Sequence, residues 1–184
     1  MKSIIQSLPN RRRFVHGQDT LKVGCPWLTF GAILAMEFEI LRPAFNVLET
    51  GSGGSTVFFS RLCATVKAFE TDPEWYPLCM ARMKDIPNIT LVQTDVTWLV
   101  NFISAEPKQH YDLILIDHRD PSVKRTNRLP AAEAALQKIK PGGWLVVDNY
   151  DGFGMHRFNW SRFDYRSYDD FRWSGRGTRI CHLP

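Results

Sequence analysis

The richest chemistry in this 184-residue chain lies in one run, Glu49-Thr50-Gly51-Ser52-Gly53-Gly54-Ser55-Thr56, which follows the apolar Val47-Leu48. Glycines let a backbone turn sharply and approach a ligand closely. A helix beginning beyond them would offer unpaired N–H groups to a carboxylate or phosphate. Glu49, two positions before the first glycine, suits a ligand that also carries an ammonium group. The dinucleotide pattern GxGxxG fits poorly, since Thr56 would fill its last place, and a P-loop is excluded by the missing Gly-Lys-Ser/Thr. Read alone, the run is either a ligand-holding loop or a structural turn.

Acids recur further along. Glu70, Asp95 and Asp117 each follow a short apolar run, and Asp148-Asn149 follows another. Each has a plain reading beside the functional one. Glu70 can be solvated, Asp95 can cap the next helix, and Asp117 can pair with Arg119 or Arg125. Acids at successive strand ends also share one geometric explanation: in an open α/β sheet those ends face a common crevice, the usual ligand site.

The elements that would hold these groups there are legible as an alternation. A helix over 29–41 is capped by Thr29 and buries Ile33, Leu34, Phe38 and Leu41 at helical spacing. It stops at Arg42-Pro43, because a residue before proline avoids helical geometry. Strands are expected at 45–48, 65–69, 88–93, 112–116 and 144–147. Helices over 55–63, 73–84 (with Pro73 in its first turn), 96–104 and 129–139 separate them. The near-continuous apolar run 112–116 suits the middle of a parallel sheet, and Pro141-Gly142-Gly143 turns the chain into the fifth strand. The pattern predicts a single α/β domain with a doubly wound, mostly parallel sheet. Residues 1–25 read as a surface arm, 151–164 as a loop, and 168–183 as a C-terminal antiparallel hairpin on the sheet edge.

Taken in order, these residues resemble the class I S-adenosylmethionine (SAM)-dependent methyltransferases, over 26–150. Glu49-x-Gly51-x-Gly53-x-Ser55 is similar to the family's first motif, with Ser55 where a third glycine is common. The resemblance implies SAM as cofactor, held at the loop by Glu49, Gly51, Ser52, Gly53, Ser55 and Thr56. It implies that Glu70 binds the ribose hydroxyls, with Thr71 beside it, and that Asp95 meets the adenine amino group, with Val96 beside it. Asp117, after Leu113-Ile114-Leu115-Ile116, is placed at the reacting end, and Pro141-Gly142-Gly143 before the fifth strand is a further family mark. Trp75 either stacks on adenine or belongs to the core.

Two pairs, Asp117-His118 and Asp148-Asn149, also resemble the metal-dependent catechol-type O-methyltransferases. That resemblance implies Mg2+ held by Asp117, Asp148 and Asn149, oxygen ligands suited to a hard cation. Alternatively, Asp117 and Asp148 contact SAM or substrate directly. The lysine base of that group is replaced here by Asp120, between Arg119 and Lys124, and an arginine stays protonated. His118 is then the best-placed general base, with His156 second, each also readable as a packing or surface histidine. An acceptor that is already ionised needs little such help, because positioning can supply most of the rate.

Composition sets outer bounds. A content of 44% hydrophobic and 23% charged residues is that of an ordinary globular protein. No apolar run approaches the ~20 residues of a membrane span, and residues 1–13 lack a secretory core, so a cytoplasmic protein without a membrane partner is expected. Cys25, Cys63, Cys79 and Cys181 are scattered, which argues for reduced thiols over zinc or disulfides, with Cys63 and Cys79 buried on helices. The net charge of +4 gathers at Arg11, Arg12 and Arg13, at 119–128 and at 157–179.

The late segment 151–184 interleaves Arg157, Arg162, Arg166, Arg172, Arg176 and Arg179 with Phe158, Trp160, Phe163, Tyr165, Tyr168, Phe171 and Trp173. Such a mixture suits phosphate contact and base stacking; it equally suits a hairpin that packs its rings and solvates its arginines. Cys25-Pro26-Trp27-Leu28-Thr29 is either a lid or wall over the cofactor or a helix cap with a packed tryptophan. The absence of Asn-Pro-Pro-Tyr after the fourth strand argues against methylation of a DNA base amine.

The function expected is therefore methyl transfer from SAM to a small molecule, at oxygen, with Asp117 and His118 as catalytic residues. The alternatives are an RNA-directed methyltransferase or RNA-binding module using the tail, an aminopropyl transferase of the spermidine synthase type, and a non-catalytic SAM-binding domain.

Overall fold

The computed structural model describes residues 17–123, 126–169 and 177–184. Five parallel strands form its centre: β1 (Asn46–Thr50), β2 (Thr65–Glu70), β3 (Ile89–Gln93), β4 (Tyr111–Ile116) and β5 (Ile139–Asp148). The chain then crosses to β6 (Asp164–Tyr168) and returns antiparallel through β7 (Thr178–His182), giving the order β3-β2-β1-β4-β5-β7-β6. The doubly wound sheet with its C-terminal hairpin is thus present, with the hairpin's first strand four residues earlier than expected.

Among the described residues, six α-helices cover the sheet: α1 (Gly17–Val23), α2 (Phe30–Ala35, continued by a π-turn, Met36–Ile40), α3 (Gly54–Leu62), α4 (Tyr76–Met83), α5 (Val96–Ala105) and α6 (Leu129–Ala135). Alternation along β4 explains how two faces are filled. Leu113 and Leu115 pack with α2 and α3, while Ile114 and Ile116 pack with α5 and α6. All four are fully buried, each contributing about 1.5–3 kcal/mol in the usual range for such side chains. Leu21 of α1 joins Val57, Cys79 and Met83 in a third cluster beside α4. All four cysteines are buried, and burial raises each thiol pKa to about 12.

Several boundaries differ for physical reasons. Residues 17–25 are no arm, because α1 packs against α3 and Cys25 is fully buried; the Arg11–13 cluster lies outside the described residues, as do Lys124, Arg125 and 170–176 with Phe171, Arg172, Trp173 and Arg176. Thr29 stands at the N-cap of α2 but its hydroxyl does not cap it; its N–H instead donates to Thr178 Oγ1 at 3.2 Å. Ile33, Met36 and Ile40 share the inward face, while Leu34 and Phe38 lie exposed on the next one. Pro77, not Pro73, sits in the first turn of α4. Cys63 falls just after α3 rather than within it. Pro141-Gly142-Gly143 is a bulge inside β5: the register passes from Tyr111↔Ile139 to Leu113↔Trp144, with Gly142 in the left-handed region at φ 70°.

Candidate functional site

The carboxyl ends of β1, β4 and β5 open into a cleft of about 950 Å³. β1 delivers Glu49 and Thr50 to it from the centre of the sheet, between β2 and β4. The turn that follows needs Gly51 twice over. Its φ is 87°, and a Cβ there would lie 3.2 Å from the carbonyl oxygen of Asp117. Gly53 N–H then donates to Thr56 Oγ1 at 2.9 Å, tying the turn to the start of α3.

Glu49 is 1% exposed. Ser55 Oγ donates to its Oε2 at 2.7 Å, whereas Oε1 has no hydrogen-bond partner among the described residues. Burial raises its pKa to about 8, against the pull of the Thr56 and Ser55 hydroxyls. A buried carboxyl with one orphaned oxygen, lining a cleft, is suited to a cation brought in by a ligand.

Glu70 closes the β2 side. Ser52 Oγ donates to its Oε2 at 2.6 Å, and the N–H groups of Thr71 and Asp72 donate to Oε1, each at 2.8 Å. Burial raises its pKa and these bonds oppose the rise. The Trp75 ring packs on the α1/α4 cluster, lines the cleft, and donates from Nε1 to Ser52 O at 2.8 Å. Thr71 is buried and donates to Arg119 O at 2.5 Å, linking the β2 and β4 ends.

Asp95 lies apart from the main cleft. It is exposed and caps α5, accepting from the N–H groups of Thr97 at 2.8 Å and Trp98 at 3.1 Å. Those bonds and the one from Thr97 Oγ1, the largest cause, lower its pKa. It borders a smaller hollow of about 370 Å³ with Thr71, Pro73 and Trp98. Val96, half-buried in the first turn of α5, lines neither cavity.

At the other end a residue not singled out from the sequence organises the site. Arg128, 4% exposed, donates from Nε to His118 O at 2.9 Å. Its Nη1 donates to Asp148 O at 2.8 Å and Asn149 Oδ1 at 3.2 Å, and its Nη2 to Asp117 O at 2.9 Å. Nη2 also pairs with Asp117 Oδ1 at 2.9 Å. Asp117 therefore pairs with Arg128 rather than with Arg119, and Arg125 lies outside the described residues. One signal was available: an arginine at the N-terminus of a helix is unfavourable for the helix dipole, so its presence there needed another reason. Thr50 and Thr178 were missed too, hydroxyls that read as ordinary strand residues.

Thr178 Oγ1 donates to Asp148 Oδ1 at 2.9 Å. Burial raises the pKa of both Asp117 and Asp148, helped at Asp148 by the charge of Asp117 and opposed at both by Arg128. His118 does not line the cleft. It is 2% exposed, with Nδ1 3.0 Å from Thr50 Oγ1, and burial followed by the Arg128 charge lowers its pKa to about 3. It is placed as a neutral packing group, not as a base facing an acceptor. His156 is exposed and also outside the cleft.

The Mg2+ set expected of Asp117, Asp148 and Asn149 is corrected by the same geometry. The guanidinium already engages Asp117 Oδ1 and Asn149 Oδ1, and Asp148 Oδ1 accepts from Thr178. No cluster of three acidic, histidine or cysteine side chains suited to a metal occurs among the described residues.

Trp27 and Thr20 supply the wall over the loop, Trp27 being 37% exposed while Leu28 and Thr29 are buried. In the tail, Arg179 lies against three rings, Tyr150 at 3.9 Å, Tyr165 at 4.3 Å and Trp160 at 4.6 Å. Arg166 pairs with Glu39 at 2.6 Å and Arg162 with Glu133 at 3.9 Å.

Comparison by sequence finds no matching family model and no matching curated protein. Comparison of structures does find likeness. The chain is similar to an O-methyltransferase from Bacillus cereus in complex with SAH, with TM-score 0.65, 17% identity, and coverage of 91% of this chain and 80% of that one. It is similar to an rRNA methylase from Streptococcus thermophilus, with TM-score 0.62, 18% identity, and coverage of 83% and 96%. A third is the O-methyltransferase TomG from Streptomyces achromogenes, involved in tomaymycin synthesis and in complex with SAM, with TM-score 0.61, 15% identity, and coverage of 91% and 78%. The chain has the class I methyltransferase fold. No described helix is long and apolar enough to cross a membrane.

Proposed function

We propose that this chain transfers the methyl group of SAM to a small molecule, at an oxygen atom. The observation that carries the reading is the orphaned, buried Oε1 of Glu49 in the cleft beyond β1. An amino-acid ammonium group would complete it, while Gly51 and Gly53 let the backbone approach and Glu70 bounds the far side. The structural neighbours crystallised with SAM or SAH support that choice of ligand.

SAM when bound supplies a sulfonium methyl for in-line displacement. Glu49 would bind the ammonium group and Glu70, steadied by Ser52, the ribose hydroxyls. Asp117 keeps 28% of its side chain exposed at the opposite end, where an acceptor would be oriented. The cleft volume lies in the range of small-molecule sites and leaves space for donor and acceptor together. Since His118 faces Thr50, the reading assigns it no proton transfer and relies on positioning of an ionised oxygen.

An RNA acceptor draws support from the likeness to the rRNA methylase, but Tyr150, Trp160 and Tyr165 are engaged with Arg179. A polyamine acceptor would want free carboxylates, and Arg128 holds Asp117. Titration calorimetry with SAM and SAH tests the donor, with micromolar binding expected; no binding of either rejects the reading. A turnover assay then separates an enzyme from a non-catalytic binding domain.

A further inference from the structure

Of the five N–H donors of Arg128, four hydrogen-bond inside the protein, to His118 O, Asp148 O, Asn149 Oδ1 and Asp117 O, and Nη2 also forms an ion pair with Asp117 Oδ1 at 2.9 Å. The side chain is 4% exposed and stacks on Phe153, its guanidinium carbon 4.7 Å from the ring centroid. Two of its partners sit in backbone conformations that favour glycine. Asn149 has φ 54° and Phe153 has φ 53°, and Phe153 O accepts from Arg128 N–H at 2.8 Å. Non-glycine residues persist there only where their surroundings hold them, and here those surroundings include Arg128.

We propose that the Arg128 guanidinium is the resident cation of this site, occupying the position between the β4 and β5 ends where Asp117 and Asn149 would otherwise hold a divalent metal, so that the site takes no metal. A hard dication wants six or more oxygen ligands at fixed short distances. The two side-chain oxygens nearest to such a role are already engaged by the guanidinium, Asp117 Oδ1 in an ion pair and Asn149 Oδ1 as a hydrogen-bond acceptor. Held by these contacts, Arg128 acts as a positioning residue: it fixes Asp117 and Asn149 and supplies positive charge without touching the acceptor. The inference rests on the methyl-transfer reading only for what the fixed Asp117 then does.

The test needs neither cofactor nor acceptor. Mn2+, a paramagnetic stand-in for Mg2+, is titrated into the full chain and its free signal followed by electron paramagnetic resonance. The unmodified chain is expected to take up no site-bound Mn2+. Arg128→Ala, which frees the Asp117 carboxyl and the Asn149 amide oxygen, is expected to bind about one, at least about tenfold more tightly than the unmodified chain. Adding Asp117→Asn should abolish that gain, and Arg128→Lys should not show it. One Mn2+ per unmodified chain, lost in Asp117→Asn, would overturn the proposal. So would a folded Arg128→Ala that binds none. If circular dichroism finds Arg128→Ala unfolded, the unmodified chain and Asp117→Asn decide the question alone. Failure of SAM and SAH to bind would reject the methyl-transfer reading and leave this result standing.

Discussion

Gly54 lies so close to the Cys25 carbonyl that an added Cβ would stand 2.0 Å from that oxygen and 2.6 Å from the carbonyl of Thr20. Those two carbonyls belong to the end of α1 and the turn beyond it, where the N–H groups of Gly24 and Cys25 both donate to Thr20 O. The first turn of α3 and the segment over the cleft are therefore in backbone contact. Gly54→Ala should lower stability by about 1–3 kcal/mol, the usual cost of overpacking. It should also weaken SAH binding, because Thr20 and Trp27 would be displaced. Thermal unfolding and calorimetry, with Ser60→Ala as a control, would check both; unchanged SAH affinity would separate the α1 contact from the site.

Glu49 should make the unliganded chain lose stability as pH rises. Its folded pKa of about 8 lies above the ordinary carboxylate value. Below about 4.5 it is neutral in both states; above that the unfolded chain ionises first, so stability falls until about pH 8. Glu49→Gln should raise Tm at pH 8 by removing a cost on the order of a few kcal/mol. It should at the same time cut SAH affinity at least about tenfold, the cost of an unmade charge-assisted bond. A variant that is both less stable and fully able to bind would contradict the assignment.

The sheet and the loop were legible because apolar runs of strand length, separated by helical patterns, leave few topologies, and because Gly51 must turn where β1 ends. The chemistry at the far end was less so. Asp117, Asp148 and Asn149 were visible as oxygen donors at neighbouring strand ends, but their occupant was not, since Arg128 is remote in sequence from Asp148 and looks like one more surface base in 119–128. Leu34 and Phe38 were misplaced because Leu34, Phe38 and Leu41 and Ile33, Met36 and Ile40 both have helical spacing, and the second set faces the core. Asp95 follows the plainer of its two readings because its carboxyl lies within reach of two unpaired N–H groups at the start of α5.

His118 should give the opposite pH response. Its folded pKa of about 3 lies below the usual imidazole value, so only the unfolded chain gains a proton between about pH 6.5 and 3, and stability falls as pH drops through that window. His118→Gln should flatten this limb relative to the parent chain. Thr50→Val should cost about 1–3 kcal/mol by leaving a buried ring nitrogen without its partner. Melting curves across pH 4–8 would resolve both, and an NMR titration showing the His118 ring itself to titrate near 6.5 would refute the placement.

Arg179→Ala should loosen the late segment. Three ring contacts are lost together, each worth about 0.5–1 kcal/mol at a partly exposed site, with a smaller near-ultraviolet dichroism signal from Trp160. The parent chain should not retard labelled single-stranded RNA even at low salt, where phosphate contacts are strongest. Retardation that weakens with added salt would instead favour an RNA acceptor.

The buried cysteines give the molecule four internal reporters. Cys25 and Cys63 sit in the α2/α3 layer, Cys181 in the α5/α6 layer and Cys79 beside α1 and α4. A thiolate is the reactive form, and burial suppresses it at each position. Alkylation at one of these sulfurs therefore records an opening event in its own part of the molecule. Timed labelling followed by mass mapping would rank the layers by how often each comes apart, without introducing a single foreign probe.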